Sequence, residues 1–185
     1  MIIAITGTPG TGKTYIAERM QKVTGFTYLN VNKYIKQQKI YDEYDRKDKT
    51  YDVEVKRLAK VSASMLKKYH YEKSDQYQRK FIKILSKYKD KTITTQEFLK
   101  LIESIKHDKN ALNKNIILDS HLSQHMLFLD YIIVIKASIN TISRRLKKRK
   151  YPAKKIKDNI ESEIFDICLE EARQNSRNIM IIDNS

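Results

Sequence analysis

Residues Gly7-Thr8-Pro9-Gly10-Thr11-Gly12-Lys13-Thr14 directly follow an apolar run and directly precede a stretch of helical periodicity. In that context the G-x-x-x-x-G-K-[ST] spacing is chemistry for phosphate. Glycines let the backbone wrap a phosphate chain with its N–H groups pointing inward, at the positive end of the following helix. Lys13 adds a full charge that reaches β and γ oxygens, and Thr14 offers a hydroxyl to a Mg2+ bridging them, so the pair favours a nucleoside triphosphate. The bland alternative is an accidental glycine turn.

Ile116-Ile117-Leu118-Asp119 reads as a strand delivering a carboxylate at its C-terminal end, where open α/β sheets place their ligands. Asp119 there could hold the water shell of Mg2+, although an Asp after a strand is also a plain turn former. Ser120-His121 follows at once. An imidazole in that place could orient or deprotonate an attacking water or hydroxyl, or it could simply be a loop or helix-cap histidine. His70, His107 and His125 have no comparable setting. Arg144, Arg145, Arg149 and Lys150 lie on or after a helix that follows a strand. A closing lid could carry one or two of these groups onto transferring phosphates, with arginine favoured for its planar fork; the alternative is a solvated basic face.

These groups need elements to hold them. Ile2 to Thr6, Asn115 to Leu118, Tyr131 to Ile135 and Ile179 to Ile182 are short β-rich runs, with Tyr28 to Val31 a weaker fifth. Most lack polar alternation, as expected of strands covered on both faces in a parallel sheet. Residues 13–23, 54–66, 139–148 and 156–172 carry apolar residues at three- and four-residue spacing, the helical period. The expectation is an α/β, doubly wound P-loop fold of the nucleoside monophosphate kinase type, with five parallel strands, helices on both faces and a small lid. Residues 67–114 read as a separate basic helical hairpin. One stripe is Tyr77, Phe81, Ile84, Leu85 and Tyr88, and the other is Phe98, Leu101, Ile102 and Ile105. Asp90-Lys91 is the turn, and Thr94 and Glu97 form a capping box.

The 185 residues suit one domain; 41% are apolar and 32% charged, enough for a globular core. The formal net charge is +15, which points to polyanionic partners. Residues 65–114 hold 13 Lys/Arg against 6 Asp/Glu, and residues 144–157 hold 9 with no acid, so the basicity belongs to two segments. The single cysteine, Cys168, excludes an internal disulfide framework and gives no sign of a Cys-rich metal site, so a reducing cytoplasm is the expected setting. No apolar run is long enough for a signal peptide or a bilayer span, so no membrane association is expected.

In order along the chain, Ile5 to Thr14, Val31-Asn32 leading to Tyr41-Asp42-Glu43-Tyr44-Asp45, Asp119-Ser120-His121, and Asp158-Asn159-Ile160-Glu161 resemble the atypical adenylate kinase family. This is the sixth adenylate kinase isoenzyme type, whose members also serve as small-subunit ribosome assembly factors, and the archaeal versions are the most similar in style. The resemblance covers 1–66 and 115–183. It implies an ATP:AMP phosphotransferase with ATPase activity, using ATP with Mg2+. It divides the core, 1–66 and 115–185, into a monophosphate-binding segment at 30–53 and a lid at 148–158, with 67–114 inserted. The expected ATP-binding set is Gly10, Gly12, Lys13, Thr14, Tyr15 and Arg149. Lys36 faces the monophosphate, Thr14 and Asp119 serve Mg2+, and Lys13, Asp119, His121 and Arg149 carry catalysis. The implied protein partner is a small-subunit ribosomal protein of the S-eleven family.

The chain departs from the family pattern at three places. The 67–114 insert stands where a short turn is usual, and its Lys67, Lys68, Lys73, Arg79, Lys80, Lys83, Lys87, Lys89 and Lys91 beside Tyr69, Tyr71, Tyr77 and Tyr88 suit phosphate neutralisation and base stacking, hence an expected contact with rRNA or a ribosomal surface; the alternative is a solubilising helical pair whose tyrosines pack inward. Arg149-Lys150-Tyr151 replaces the family's Arg-Gly-Tyr, which implies a stiffer hinge. The sequence closes at Asp183-Asn184-Ser185, from which loose base selectivity is expected. Two further readings stand beside the kinase: an ATPase assembly switch with water as acceptor and little kinase activity, and a silent nucleotide- or RNA-binding module. Dependence of turnover on AMP separates the first two.

Overall fold

The computed structural model describes residues 1–45, 50–68, 76–104, 115–176 and 178–185. In chain order the elements are β1 (Ile2–Thr6), α1 (Lys13–Thr24), β2 (Thr27–Asn30), α2 (Val31–Gln37), β3 (Glu43–Asp45), β4 (Thr50–Asp52), α3 (Val55–Lys68), α4 (Gln76–Ser86), β5 (Thr92–Thr94) and α5 (Thr95–Glu103). There follow β6 (Ile116–Asp119), a 3-10 turn (Ser123–His125), β7 (Tyr131–Lys136), α6 (Ile139–Lys148), α7 (Ala153–Ile164), α8 (Ile167–Asn175) and β8 (Ile179–Asp183).

The main sheet has six strands in the order β2-β6-β1-β7-β8-β5, every neighbouring pair parallel, with β3 and β4 as a separate antiparallel pair. Strand residues of alternating parity feed two cores. Ile3, Ile5, Ile117, Tyr131, Ile133, Ile135, Met180 and Ile182 meet α1, α4 and α5 on one face. On the other face Ile2, Ile116 and Leu118 meet α2 and α3, while Ala4, Ile132, Val134, Ile179 and Ile181 meet α8. Burial on both faces is why these strands are written almost without polar residues. β2 ends one residue earlier than its β-rich run because the Asn30 side chain accepts the Lys33 N–H at 2.9 Å and starts α2 at Val31.

Two expectations are corrected. The sheet has six strands, not five, and the sixth comes from the segment expected to stand outside the core. β5 runs parallel to β8, and the backbone bonds Asp90 N to Ile179 O (2.9 Å) and Ile181 N to Lys91 O (3.1 Å) extend the contact. Phe81, Leu85, Phe98 and Ile102 are buried in the α1-face core. The ring centroids of Phe81 and Phe26 are 5.2 Å apart, and the Tyr131 hydroxyl donates to Leu85 O at 2.8 Å. The apolar stripes thus meet the sheet rather than each other, because β8 would otherwise leave its ladder edge and its α1-side face bare. The capping box is present, with Thr94 accepting from the Glu97 N–H and the Glu97 carboxylate accepting from the Thr94 N–H at 2.7 Å. Tyr69 to Asp75 and Ile105 to Lys114 lie outside the described residues.

The periodic stretch 156–172 falls on two helices. α7 and α8 are separated at Asp166, whose backbone is left-handed (φ 54°) and whose carboxylate pairs with Lys136. Asp tolerates that region better than most residues, and the ion pair at the end of β7 fixes the break.

Phe98 is fully buried, so Phe98→Ala is expected to cost about 3–5 kcal/mol of unfolding free energy through lost transfer energy and a residual cavity, read by urea denaturation. A satellite hairpin outside the core would give under 1 kcal/mol, about the effect of an ordinary surface substitution.

Candidate active site

The phosphate-loop sequence leaves β1 at its C-terminal end and enters α1 at Lys13. Gly7 has φ +136°, and a Cβ there would lie 2.2 Å from Ile135 O, so the loop passes over β7 in a backbone form and at a distance open only to glycine. The Lys13 ammonium donates to Gly7 O and, at 3.0 Å, to Thr8 O. Desolvation by burial lowers its pKa to about 8, partly offset by the nearby Asp119 carboxylate.

Opposite the loop, Asp119 is 2% exposed at the end of β6. Its Oδ2 accepts from the Thr14 hydroxyl at 2.8 Å and the Tyr28 hydroxyl at 2.8 Å, with the Asn30 amide at 3.5 Å. Tyr28 and Asn30 reach it because β2 runs beside β6 with Asn30 in register with Asp119. Burial, opposed by the Asn30 hydrogen bond, raises the Tyr28 pKa to about 12, so it stays a donor. Ser120 donates to Asn32 Oδ1 at 2.8 Å and accepts from the Leu122 N–H at 3.1 Å, which fixes the turn that carries His121. Burial first, then the positive charges of Lys13 and Lys155, push His121 down to about 4, so the imidazole is neutral at pH 7.

These groups wall a cavity of about 630 Å3. Gly10, Gly12, Lys13, Thr14, Tyr15, Asp119, His121 and Arg149 all line it, and so do Tyr151, Lys155, Cys168 and Glu171. Burial raises the Cys168 pKa, so its thiol is protonated at neutral pH. Lys36 is exposed on the last turn of α2 and is not among the lining residues. Of the basic run, Arg149 caps α6 at the cavity wall, whereas Arg145 turns to the outside of the phosphate loop and donates to Gly10 O (3.2 Å) and Thr11 O (3.0 Å). Arg145, Tyr28 and Asn30 were not singled out from the sequence as groups that hold the loop or Asp119. Their only signal is position on elements whose pairing becomes visible in the folded chain.

The donor set suits Mg2+. Thr14 and Asp119 are hard oxygen ligands 2.8 Å apart, and among the described residues no group of three or more His, Cys, Asp or Glu could hold a metal by itself. Mg2+ commonly takes one or two protein oxygens and completes its shell with phosphates and water. Thr14 and Asp119 are the residues that would hold it.

A glycine loop over parallel strand ends, a lysine beneath it and a Thr–Asp oxygen pair define a P-loop nucleotide-binding protein. Residues 3–166 match the family model described as AAA domain. A protein of Methanocaldococcus jannaschii is 32% identical over 173 residues, covering 94% of this chain and 72% of that protein. One of Pyrococcus furiosus is 32% identical over 185 residues, covering 100% and 76%. Both carry the name "Putative adenylate kinase". The chain belongs to the AAA-domain P-loop family and, within it, to this group of archaeal adenylate kinase homologues. Similar solved structures include deoxyadenosine kinase from M. mycoides with bound dATP (16% identity, 100% of this chain, 91% of that chain, TM-score 0.44) and TT1252 from Thermus thermophilus (13%, 100%, 88%, 0.43), too distant to bear on the site. Among the described residues no helix is long and apolar enough to cross a membrane.

The depressed Lys13 pKa makes the lysine a burden on folding. Between pH 8 and 10.5 the unfolded chain binds more protons at this site than the folded one, so stability rises with pH across that window, and the penalty is fully present at pH 7. Lys13→Met is expected to raise unfolding free energy at pH 7 by about 1–2 kcal/mol, with the advantage shrinking towards pH 10.5, while phosphoryl transfer is abolished. Urea denaturation at pH 7 and pH 10 checks it; a destabilised variant contradicts the burial argument.

Proposed function

We propose that this chain transfers the γ-phosphoryl of ATP to AMP, as an adenylate kinase-like nucleoside monophosphate kinase of broad specificity that also hydrolyses ATP. The observation that carries this reading is the Thr14–Asp119 contact at 2.8 Å on the wall that also holds Lys13, His121 and Arg149. The loop amides and Lys13 cradle the β and γ phosphates, and Arg149 neutralises charge on the transferring group. Bound Mg2+ would add charge neutralisation at the same oxygens. Residues 30–53 form the acceptor side, where Asn30, Asn32, Ile35 and Val53 already line the cavity, and 148–158 form the lid. Lys36 reaches a monophosphate only if α2 moves on binding. The AMP choice is supported by the names of the archaeal relatives.

His121 is assigned to hydrolysis. A docked phosphate acceptor is held by its own charges, whereas a water molecule needs a group to orient it, and His121 lies on the cavity wall two residues beyond Asp119.

A role in late small ribosomal subunit maturation, with an S-eleven family protein and rRNA as partners, is the second reading. It is favoured by the sequence resemblance and by the +15 charge. On the described part of the insert the exposed Lys83, Lys87, Lys89 and Lys91 remain open to phosphate, whereas Tyr88 packs against the core and is withdrawn from stacking.

Turnover of ATP measured with and without AMP is the test. A kinase forms ADP from AMP at a rate well above AMP-independent phosphate release; phosphate release that AMP leaves unchanged favours the switch. His121→Ala is expected to slow hydrolysis by about a hundredfold or more and AMP phosphorylation much less, and equal losses contradict the assignment.

A further inference from the structure

One carbonyl of the phosphate loop is held from outside by two side chains. Thr11 O accepts from Asn184 Nδ2 at 2.7 Å and from Arg145 Nη1 at 3.0 Å, and the two donors are themselves joined by Arg145 Nη2 to Asn184 O at 3.1 Å. Asn184 is the first residue past β8, and its own N–H donates to Lys136 O at 2.9 Å, anchoring it at the end of β7. Its side-chain oxygen accepts from the Thr95 hydroxyl at 3.0 Å, and Thr95 is the first residue of α5.

The amide orientation follows from this pattern. Nδ2 faces a carbonyl, which can only accept, and Oδ1 faces the Thr95 hydroxyl, whose one proton has Oδ1 at 3.0 Å as the nearer acceptor and Asp183 O at 3.2 Å as the other. Contact with the loop is close: a Cβ on Gly12 would fall 2.3 Å from Asn184 Nδ2, so the carboxamide lies against the Gly12 α-carbon. In a planar trans peptide the Thr11 C=O and the Gly12 N–H point to opposite sides. Drawing Thr11 O towards Asn184 and Arg145 therefore turns the Gly12 N–H the other way, and Gly12 lies on the cavity wall.

We propose that Asn184 is a positioning residue for the phosphate loop, holding the Thr11–Gly12 peptide with its N–H turned to the cavity, and that Thr95 of α5 orients it. The inference rests on the reading of the cavity as a triphosphate site. It gives the 76–104 segment a part in that site: the helix seated beside β8 sets the carboxamide that sets the loop. Asn184 touches no reacting atom, and its effect is on the affinity for ATP, not for the acceptor.

The experiment measures Mg-ATP binding by calorimetry, KM for AMP, and the thermal midpoint, for the full chain and its variants. Asn184→Ala is expected to weaken ATP by about five- to tenfold, the loss of one well-placed hydrogen bond. Asn184→Asp, of the same shape but with only acceptors facing Thr11 O, weakens it further. Thr95→Val loses about two- to threefold and Thr95→Ser restores wild-type binding, while KM for AMP is constant across the set. ATP affinity unchanged in Asn184→Asp overturns the inference. So does a loss shared equally by AMP, or one that follows the thermal midpoint in every variant. If Asn184 variants fail to fold, the Thr95 pair decides, and equal binding by Val and Ser overturns it. A wild-type chain that binds no ATP overturns the cavity reading first and this inference with it.

Discussion

The site depends on keeping an ammonium charge among backbone dipoles with little water. Lys13 is set by the first turn of α1, and its ammonium lies against the carbonyls of its own loop, at a pKa cost that burial imposes. Such a cation is unfavourable in a folded chain and becomes favourable when a polyphosphate arrives. The neighbours follow from that. Asp119 stands near enough to offset the charge while being shared with Thr14 and Tyr28, and His121, kept from water by burial and pressed by Lys13 and Lys155, stays neutral. The cavity is thus electropositive by construction at its floor and polar but uncharged at His121.

Local patterns were legible to the extent that local chemistry made them. The glycine spacing, the carboxylate at the end of β6 and the capping box of Thr94 and Glu97 are written in contiguous residues, and each has its expected conformation. What was not legible depends on contacts across the chain. β5 contains a single buried apolar residue, Ile93, and no run of three residues declares itself a strand without the edge of β8 to pair with. The break between α7 and α8 rests on an ion pair from Asp166 to Lys136, thirty residues earlier. The holding groups on Asp119 and on Thr11 come from β2, α6 and the residues after β8, which no spacing rule connects.

The segment 76–104 shows how an apparent appendage becomes part of the core. Its two helices have strong apolar stripes and many lysines, a pattern equally suited to a free hairpin or to a layer on a sheet. The deciding fact is the state of β8. With β7 on one side only, β8 would be an open parallel edge, and Met180 and Ile182 would face water. β5 and α5 cover both, and the lysines are left on the outer side.

The turn after α6 combines strain with function. Lys150 has φ 56° where the family resemblance leads one to expect glycine, a conformation that costs a residue with a Cβ about 1–2 kcal/mol. The turn is nonetheless held by Lys150 N to Lys147 O at 2.9 Å and Tyr151 N to Leu146 O at 3.2 Å, with Leu146 fully buried beneath it. Those bonds close the helix end, and the closed end is what sets Arg149 on the cavity wall. A glycine would relieve the strain but widen the range of backbone angles open to the turn. The lysine therefore trades some stability for a narrower range of backbone angles at this turn, and the Arg149 guanidinium on the cavity wall is carried by a turn with few alternatives.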